Sequence, residues 1–440
     1  MISRIDLRGR ASAQLSNSTL AGALPRAAAD VESAATLVRP VCDDVRRRGA
    51  QAVREYTARF DHVDLQTTLV PQAALDEALE ALDPATKSAL EEAARRTRIV
   101  HQAQLPAEHP AQVADGLTVT GRFVPVQRAG VYVPGGLVAY PSSVVMNIVP
   151  AQVAGVGAIA VSSPPQKQHG GLPHPSVLAA CALLGIREVH AVGGAQALAM
   201  LAYGTQDCAP VDVITGPGNV YVAAAKRVLR GVVGTDGENG PTEVAIIADD
   251  TADAAYVAAD LIAQAEHDEL AACLLITTDE SLADKVDKEL EHSVPAARHH
   301  ERVRAALRNQ SATVLVDDLD AALAVSDAWA PEHLEIQARD PAKLAARVVN
   351  AGAVFAGPYA PVSLGDYLAG SNHVLPTGGT ARHTSGLSIW PFGRLVNVIE
   401  CDQAALAAAA PLIDALGGAE DLAAHVNAVR VRVPRESGPE

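Results

Sequence analysis

Aromatic side chains are scarce in this chain: Phe, Trp and Tyr together make 3% of its 440 residues. Its core must therefore be filled mainly by Ala, Val, Leu and Ile. Basic residues are also outnumbered, with 35 Lys and Arg against 51 Asp and Glu and a formal net charge of −16. Such a surface repels phosphate backbones and anionic lipid, so nucleic acid and membrane are excluded as general partners. An anionic cofactor remains possible where a local site opposes the global charge. Cysteines number five, at 42, 181, 208, 273 and 401. An odd count with no CxxC spacing argues against a disulfide framework and for a reducing, cytoplasmic setting. The opening MISRIDLRGR lacks an apolar stretch of signal-peptide length. Only residues 144–161 raise the question of a membrane span. Asn147, Pro150, Gln152, Gly155 and Gly157 interrupt them, whereas a span needs about 20 uninterrupted apolar residues. They read instead as a buried helix, a turn at 155–157 and a strand at 158–162.

What is present is ordinary globular composition, 49% hydrophobic and 20% charged, in a chain long enough for two major domains. The first hundred or so residues place Leu, Val and Ala three or four apart, which predicts helices over 31–57 and 71–104. Polar hinges are expected at 61–64 and 106–116. From Gly116 onward short Val/Ile/Ala runs alternate with Ala-rich helical runs. Strands are predicted at 131–133, 158–162, 188–191, 211–215, 244–248, 272–277, 312–316, 333–337 and 353–356. Strands separated by helices of 10–15 residues argue for parallel βαβ units, and uncharged apolar runs fit strands buried on both faces.

Three glycine loops follow predicted strands: 132–136, 193–196 and 216–219, the last reading Gly-Pro-Gly-Asn before a helical run. Ligands of open α/β sheets sit where strands end and helices begin, and a helix N-terminus attracts anions. The GxGxxG fingerprint is absent. Tight βα turns need glycine in any case, so these loops are compatible with a dinucleotide crevice without requiring one.

Titratable candidates lie further on. Gln264 and His267, three apart, share a helix face; His is a common zinc ligand and Gln an unusual one. Glu332 and His333 can divide general acid–base work. Neighbours in an extended segment point oppositely, so they serve one site only if the local backbone bends them together. Asp366 and His373 occupy a polar, glycine-flanked loop, and Glu420 and His425 lie five apart on an Ala-rich helix. The denser group His292, His299 and His300 lies in a charged stretch and reads as a solvated face. No cysteine is a good nucleophile: Cys181 and Cys273 sit in apolar runs where a thiol is inert, and Cys42, Cys208 and Cys401 have no histidine near in sequence.

These pieces, in this order, closely resemble the histidinol dehydrogenase family. The matching segments are VYVPGG (131–136), GGAQALA (193–199), GPGNVYVAAAK (216–226), GPTEVAIIAD (240–249), DLIAQAEHD (260–268), APEHLEI (330–336), GDYLAGSNHVLPT (365–377), SGLS (385–388) and EDLAAHVNAV (420–429). The resemblance implies an α/β fold of two incomplete Rossmann-like parallel-sheet domains with small N- and C-terminal helical extensions. The expected division is an arm over 1–26, a first domain from 27–131 plus 244–387, a second, NAD-binding domain over 132–243, and an extension over 388–440. It implies zinc, one per subunit, held by Gln264, His267, Asp366 and His425, with Glu332 and His333 as the catalytic pair. Substrate contacts would come from Thr242, Gln264, His267, His333, Asp366, His373, Glu420 and His425. NAD contacts would come from Tyr132, Gln196 and Asn219. Thr242 stands where many relatives have Ser, and its hydroxyl preserves the hydrogen-bonding group. Ser162-Ser163 stands where some relatives carry a Cys, in keeping with the argument against a thiol nucleophile.

The implied activity is four-electron oxidation of L-histidinol to L-histidine through bound L-histidinal, ending histidine biosynthesis. The implied assembly is a homodimer in which the His425 segment completes the partner's site. Three other readings stand beside it: an NAD-dependent dehydrogenase of another small alcohol, such as a dihydroxypropane sulfonate; a zinc hydrolase with Glu332 as base; and a non-catalytic NAD-binding module. The first would share the NAD and catalytic residues, and the second would need no NAD.

Overall fold

The nine apolar runs expected to be strands all form strands. In the computed structural model, which describes residues 2–10, 14–20, 22–26, 30–135, 139–238 and 240–433, they are joined by five more. In chain order the strands are β1 Ser3–Asp6, β2 Pro110–Ala114, β3 Leu117–Pro125, β4 Arg128–Tyr132, β5 Ala158–Ser163, β6 Glu188–Ala191 and β7 Val213–Thr215. They continue with β8 Gly234–Thr235, β9 Glu243–Ala248, β10 Ala272–Thr277, β11 Ala312–Leu315, β12 His333–Gln337, β13 Ala353–Ala356 and β14 Gly393–Cys401. One sheet runs β1-β11-β10-β9-β12-β13 and a second β6-β5-β4-β7-β8. The named strands of these two sheets pair in parallel throughout. The fold class expected from the sequence, α/β with two Rossmann-like parallel sheets, is the one observed.

Period-two alternation builds each core. In the first sheet Ala245, Ile247, Leu274, Ile276 and Val314 face one cluster, while Val244, Ile246, Ala248, Cys273 and Leu275 face the other. Both faces are dry, which is why these strands read as unbroken apolar runs. The second sheet divides likewise, Tyr132, Ala160 and Ile214 to one side and Val131, Val161 and Val189 to the other. The apolar run at 144–161 is the helix Pro141–Ala154, a left-handed Gly155 (φ 89°) that ends it, and β5. Among the described residues no helix is long and apolar enough to cross a membrane.

The strands that were not foreseen lack that signal. β1 has four residues and β8 two. β2 lies within the expected hinge at 106–116 and is exposed along its length, and β14 is mostly exposed. With β3 they form an antiparallel sheet, β14-β3-β2. This sheet and the helices Gln403–Ala419 and Ala423–Arg430 make up a compact unit of residues 105–125 and 393–440, separate from the unit of residues 1–104 and 126–392 that holds both parallel sheets. The terminal extensions therefore contain strand as well as the expected helix.

Candidate functional site

The helix Leu319–Trp329 stops at Ala330, which adopts a left-handed backbone (φ 52°) rare for a residue with a side chain. Pro331 and Glu332 follow, and β12 begins at His333. This bend resolves the objection that neighbouring side chains diverge: His333 Nδ1 lies 3.5 Å from Glu332 Oε2. Both are fastened to the start of β9. The Glu243 N–H donates to Glu332 Oε2 at 2.9 Å, the Thr242 hydroxyl donates to the same oxygen at 2.6 Å, and His333 Nδ1 donates to the Glu243 carbonyl at 2.9 Å. A carbonyl can only accept, so Nδ1 carries the proton and Nε2 is the basic nitrogen. Gly352 lets the neighbouring chain pass close by: a Cβ there would fall 2.6 Å from the Glu332 carbonyl oxygen.

Burial sets the charges. It pushes the Glu332 carboxyl up to about 8, against the Thr242 and Glu243 hydrogen bonds. It lowers His333, which is therefore neutral at pH 7. A buried carboxyl raised toward neutrality beside a neutral imidazole is an acid–base arrangement.

The other expected residues of this unit gather round the pair. Gln264 Nε2 donates to Thr242 Oγ1 at 2.5 Å, extending the chain Gln264–Thr242–Glu332. Gln264 Oε1 is buried without a partner. His267 falls just past the helix Ala254–Ala265 and turns Nδ1 to the Ala263 carbonyl at 3.0 Å, which leaves Nε2 for another role. Asp366, in the helix Val362–Tyr367, bears electrostatically on Glu332, His333 and His373. His373 donates from Nδ1 to the Asp366 carbonyl at 3.0 Å, and its Nε2 lies 3.3 Å from Ser143 Oγ. Burial lowers His373 as well. Ser143 and Glu243 were missed as site residues; Glu243 lay inside the quoted GPTE segment, but nothing in one sequence marks a residue that acts through its backbone.

An unpartnered, buried amide oxygen at Gln264, an imidazole nitrogen left over at His267 and a carboxylate at Asp366 are donors of the kinds that suit zinc. Among the described residues, the three-residue group of His, Cys, Asp or Glu whose possible ligand atoms lie within 4.8 Å of one another is elsewhere: Glu188, His190 and Cys208. There Arg128 pairs with the same Glu188 oxygen that meets His190 Nε2 at 3.1 Å, and Thr68 Oγ1 lies 3.0 Å from Nδ1. With the carboxylate engaged by a guanidinium and both ring nitrogens occupied, this is an ionic network on the edge strand β6. It also gives Cys208 the histidine neighbour that its sequence surroundings lacked. Burial pushes Cys42, Cys181 and Cys273 up to about 12, so these thiols are inert.

The glycine loops lie at the ends of β4, β6 and β7 in the second sheet. The Tyr132 hydroxyl accepts from the Gly194 N–H at 3.2 Å, Gln196 is buried near Asp61, and Asn219 caps the helix Val220–Leu229 by accepting from Tyr221 and Val222 N–H. Gly136 lies outside the described residues. Gly216 (φ 121°) packs against the Tyr132 carbonyl, where a Cβ would collide with backbone. Buried Lys226 grips the same turn: its ammonium donates to the Gly216 carbonyl at 2.6 Å and pairs with Asp236 at 2.5 Å, while Asp236 accepts from the Gly216 N–H at 2.8 Å. Glu420 and His425 belong to the other unit, at the end of the helix Gln403–Ala419 and within Ala423–Arg430, and both are exposed. His292 and His299 are exposed as expected.

Comparison with known proteins matches residues 24–433 to the family model described as histidinol dehydrogenase. The chain is 58% identical over 437 residues to a histidinol dehydrogenase of Thermobifida fusca, covering 99% of this chain and 98% of that one. It is 55% identical over 441 residues to that of Mycobacterium tuberculosis, covering 99% of each. Among solved structures, a histidinol dehydrogenase from Elizabethkingia anophelis superposes with a TM-score of 0.91 at 30% identity, covering 98% of both chains.

Proposed function

This chain belongs to the histidinol dehydrogenase family, and from that premise we propose that it oxidises L-histidinol to L-histidine through bound L-histidinal, the last steps of histidine biosynthesis. The observation that carries the reading is the pair Glu332–His333, bent together and anchored on the backbone of a single residue, Glu243. NAD, when bound, would supply the acceptor for the electron pair removed in each of the two oxidations. His333, with Nδ1 held by the Glu243 carbonyl, takes the substrate hydroxyl proton at Nε2. Glu332 removes a proton from the water that adds to the aldehyde; a carboxyl held near 8 is a far stronger base than an exposed one. His333 serves again as base in the second oxidation.

Gln264, His267 and Asp366 of one subunit, with the His425 segment of the partner subunit, would hold zinc. The unpartnered Gln264 Oε1 supports that assignment. Zinc would supply a Lewis-acidic anchor for the imidazole and amine nitrogens of the substrate. Thr242, His373 and Glu420 complete the substrate contacts, and Tyr132, Gln196 and Asn219 line the NAD crevice. The proposed setting is the cytoplasm and the proposed assembly a homodimer, with residues 388–440 of each subunit completing the other's site. The proposed domains are 27–131 plus 244–387 and 132–243, preceded by the arm 1–26.

The test is absorbance of reduced nicotinamide with zinc-loaded protein, L-histidinol and excess NAD. Two NADH per histidinol, lost on chelation, is the expected outcome. Reduction of NAD by another small alcohol but not by histidinol would move the reading to that substrate. Hydrolysis without any need for NAD would replace it.

A further inference from the structure

We propose that the buried ion pair Arg26–Glu243 positions the acid–base pair, which brings a residue of the N-terminal segment into the machinery of the reaction; this rests on the roles given above to Glu332 and His333. Glu243 touches both through its backbone, N–H to Glu332 and carbonyl to His333, each at 2.9 Å. The backbone conformation of that one residue, which sets both flanking peptide groups, therefore sets the aim of the carboxyl and the tautomer of the imidazole. Glu243 is paired with Ala272 of β10, but the β12–β9 ladder begins only at His333 opposite Val244, so on the β12 side the Glu243 side chain is a further anchor for this residue.

Arg26 and one backbone amide hold that side chain. Arg26 Nε lies 2.8 Å from Oε1, Arg26 Nη2 donates to Oε2 at 3.2 Å, and the Gly378 N–H donates to Oε1 at 3.1 Å. The same Nη2 donates to the Trp329 carbonyl at 2.6 Å, and the guanidinium carbon stands 4.5 Å from the Trp329 ring centroid. Trp329 is the last residue of the helix that leads through Ala330 and Pro331 to Glu332. One guanidinium thus grips both flanks of the catalytic segment, the start of β9 and the approach to β12. Its charge also offsets the Glu243 carboxylate, which would otherwise stand unneutralised behind Glu332, and Arg382 adds a second positive charge facing Arg26.

The experiment compares Glu243→Gln, Arg26→Met and the double variant with the wild type, all zinc-loaded. Each single variant should lower kcat for histidinol oxidation about 10- to 100-fold, the loss expected when a reacting group is misplaced by a fraction of an ångström to an ångström. KM should stay within about three-fold, because substrate contacts are retained, and zinc content should not change. Each single variant leaves one buried charge unpaired and will lose thermal stability. The double variant removes both charges and should recover stability but not kcat. Recovery of kcat together with stability would show a merely structural pair and overturn the proposal, as would single variants with wild-type kcat. Imidazole 15N spectra of His333 read the tautomer without turnover. Nδ1–H should dominate in the wild type and mix with Nε2–H in the single variants. An unchanged tautomer in the variants overturns the proposal, whereas a wild type that yields no NADH from histidinol overturns the assigned reaction.

Discussion

Glu332 and His333 are neighbours in sequence, but burial treats them differently because their charged forms have opposite sign. Desolvation raises the acid, to about 8, and lowers the base. That difference supports separate tasks. Glu332→Gln should slow aldehyde oxidation by about 100-fold or more while slowing alcohol oxidation much less, since only the second step needs an activated water. His333→Asn should impair both. Single-turnover measurements starting from histidinol and from histidinal separate the steps, and equal losses in Glu332→Gln would refute the division of labour. Lys226 is the other residue whose burial demands a partner. Lys226→Met would strand the Asp236 carboxylate, about 3–5 kcal/mol of destabilisation, and Lys226→Met/Asp236→Asn should regain much of it. Urea unfolding of the single and double variants measures the difference.

At the scale of elements, the turn from β7 into the helix Val220–Leu229 is held by contact between two strand ends. Gly216 abuts the Tyr132 carbonyl at the end of β4 in a left-handed conformation. Gly216→Ala should therefore cost on the order of 3 kcal/mol, through both the strained backbone and the backbone collision. A melting temperature within a degree or two of wild type would contradict this packing.

A second element is fastened by charge. Segment 68–70 hydrogen-bonds along β6, Val70 N–H to the Val189 carbonyl and Ala191 N–H to the Thr68 carbonyl, with His190 between them against Thr68 and Glu188. Burial alone would lower His190, but Cys208 and Glu188 outweigh it and raise it to about 9. Burial likewise opposes ionisation of Glu188, but His190 and Arg128 hold it down at about 2. Stability from protonated His190 is fully present below its ordinary 6.5 and lost as pH rises through about 9. The Glu188 contribution is present above its ordinary 4.5 and lost as pH falls toward 2. The deficit in melting temperature of His190→Gln should be largest between pH 5 and 6.5 and shrink toward pH 10; a deficit constant across that range would exclude the charged network.

At the scale of the whole molecule, the unit of residues 105–125 and 393–440 leaves Leu395, Ile399, Leu412 and Leu416 at least 60% exposed. Scattered apolar exposure is ordinary, but four large side chains within one small unit suit an interface. The proposed homodimer predicts sedimentation at about twice the chain mass. Ile399→Asp should shift the population toward single chains and lower activity in proportion, because Glu420 and His425 would no longer reach a partner. Full activity in a strictly monomeric variant would refute shared sites.

The sequence by itself determined nine strands, the helical N-terminal stretch and the α/β class, because apolar periodicity is a local property that burial imposes. Ordered motifs also named the family and candidate residues such as Gln264, His267, Glu332, His333 and Asp366. Exposed strands such as β2 and β14 lack the unbroken apolar run of a strand buried on both faces, because most of their residues face solvent. Only the tertiary structure decided that Ala330 bends Glu332 and His333 together, that the backbone of one residue, Glu243, holds both, that Arg26 from the N-terminal segment grips that residue, and that His190 lies beside Cys208. The first is a rare backbone conformation that no residue type announces; the others join residues distant in sequence, and such contacts have no period along the chain for a reader of the sequence to find.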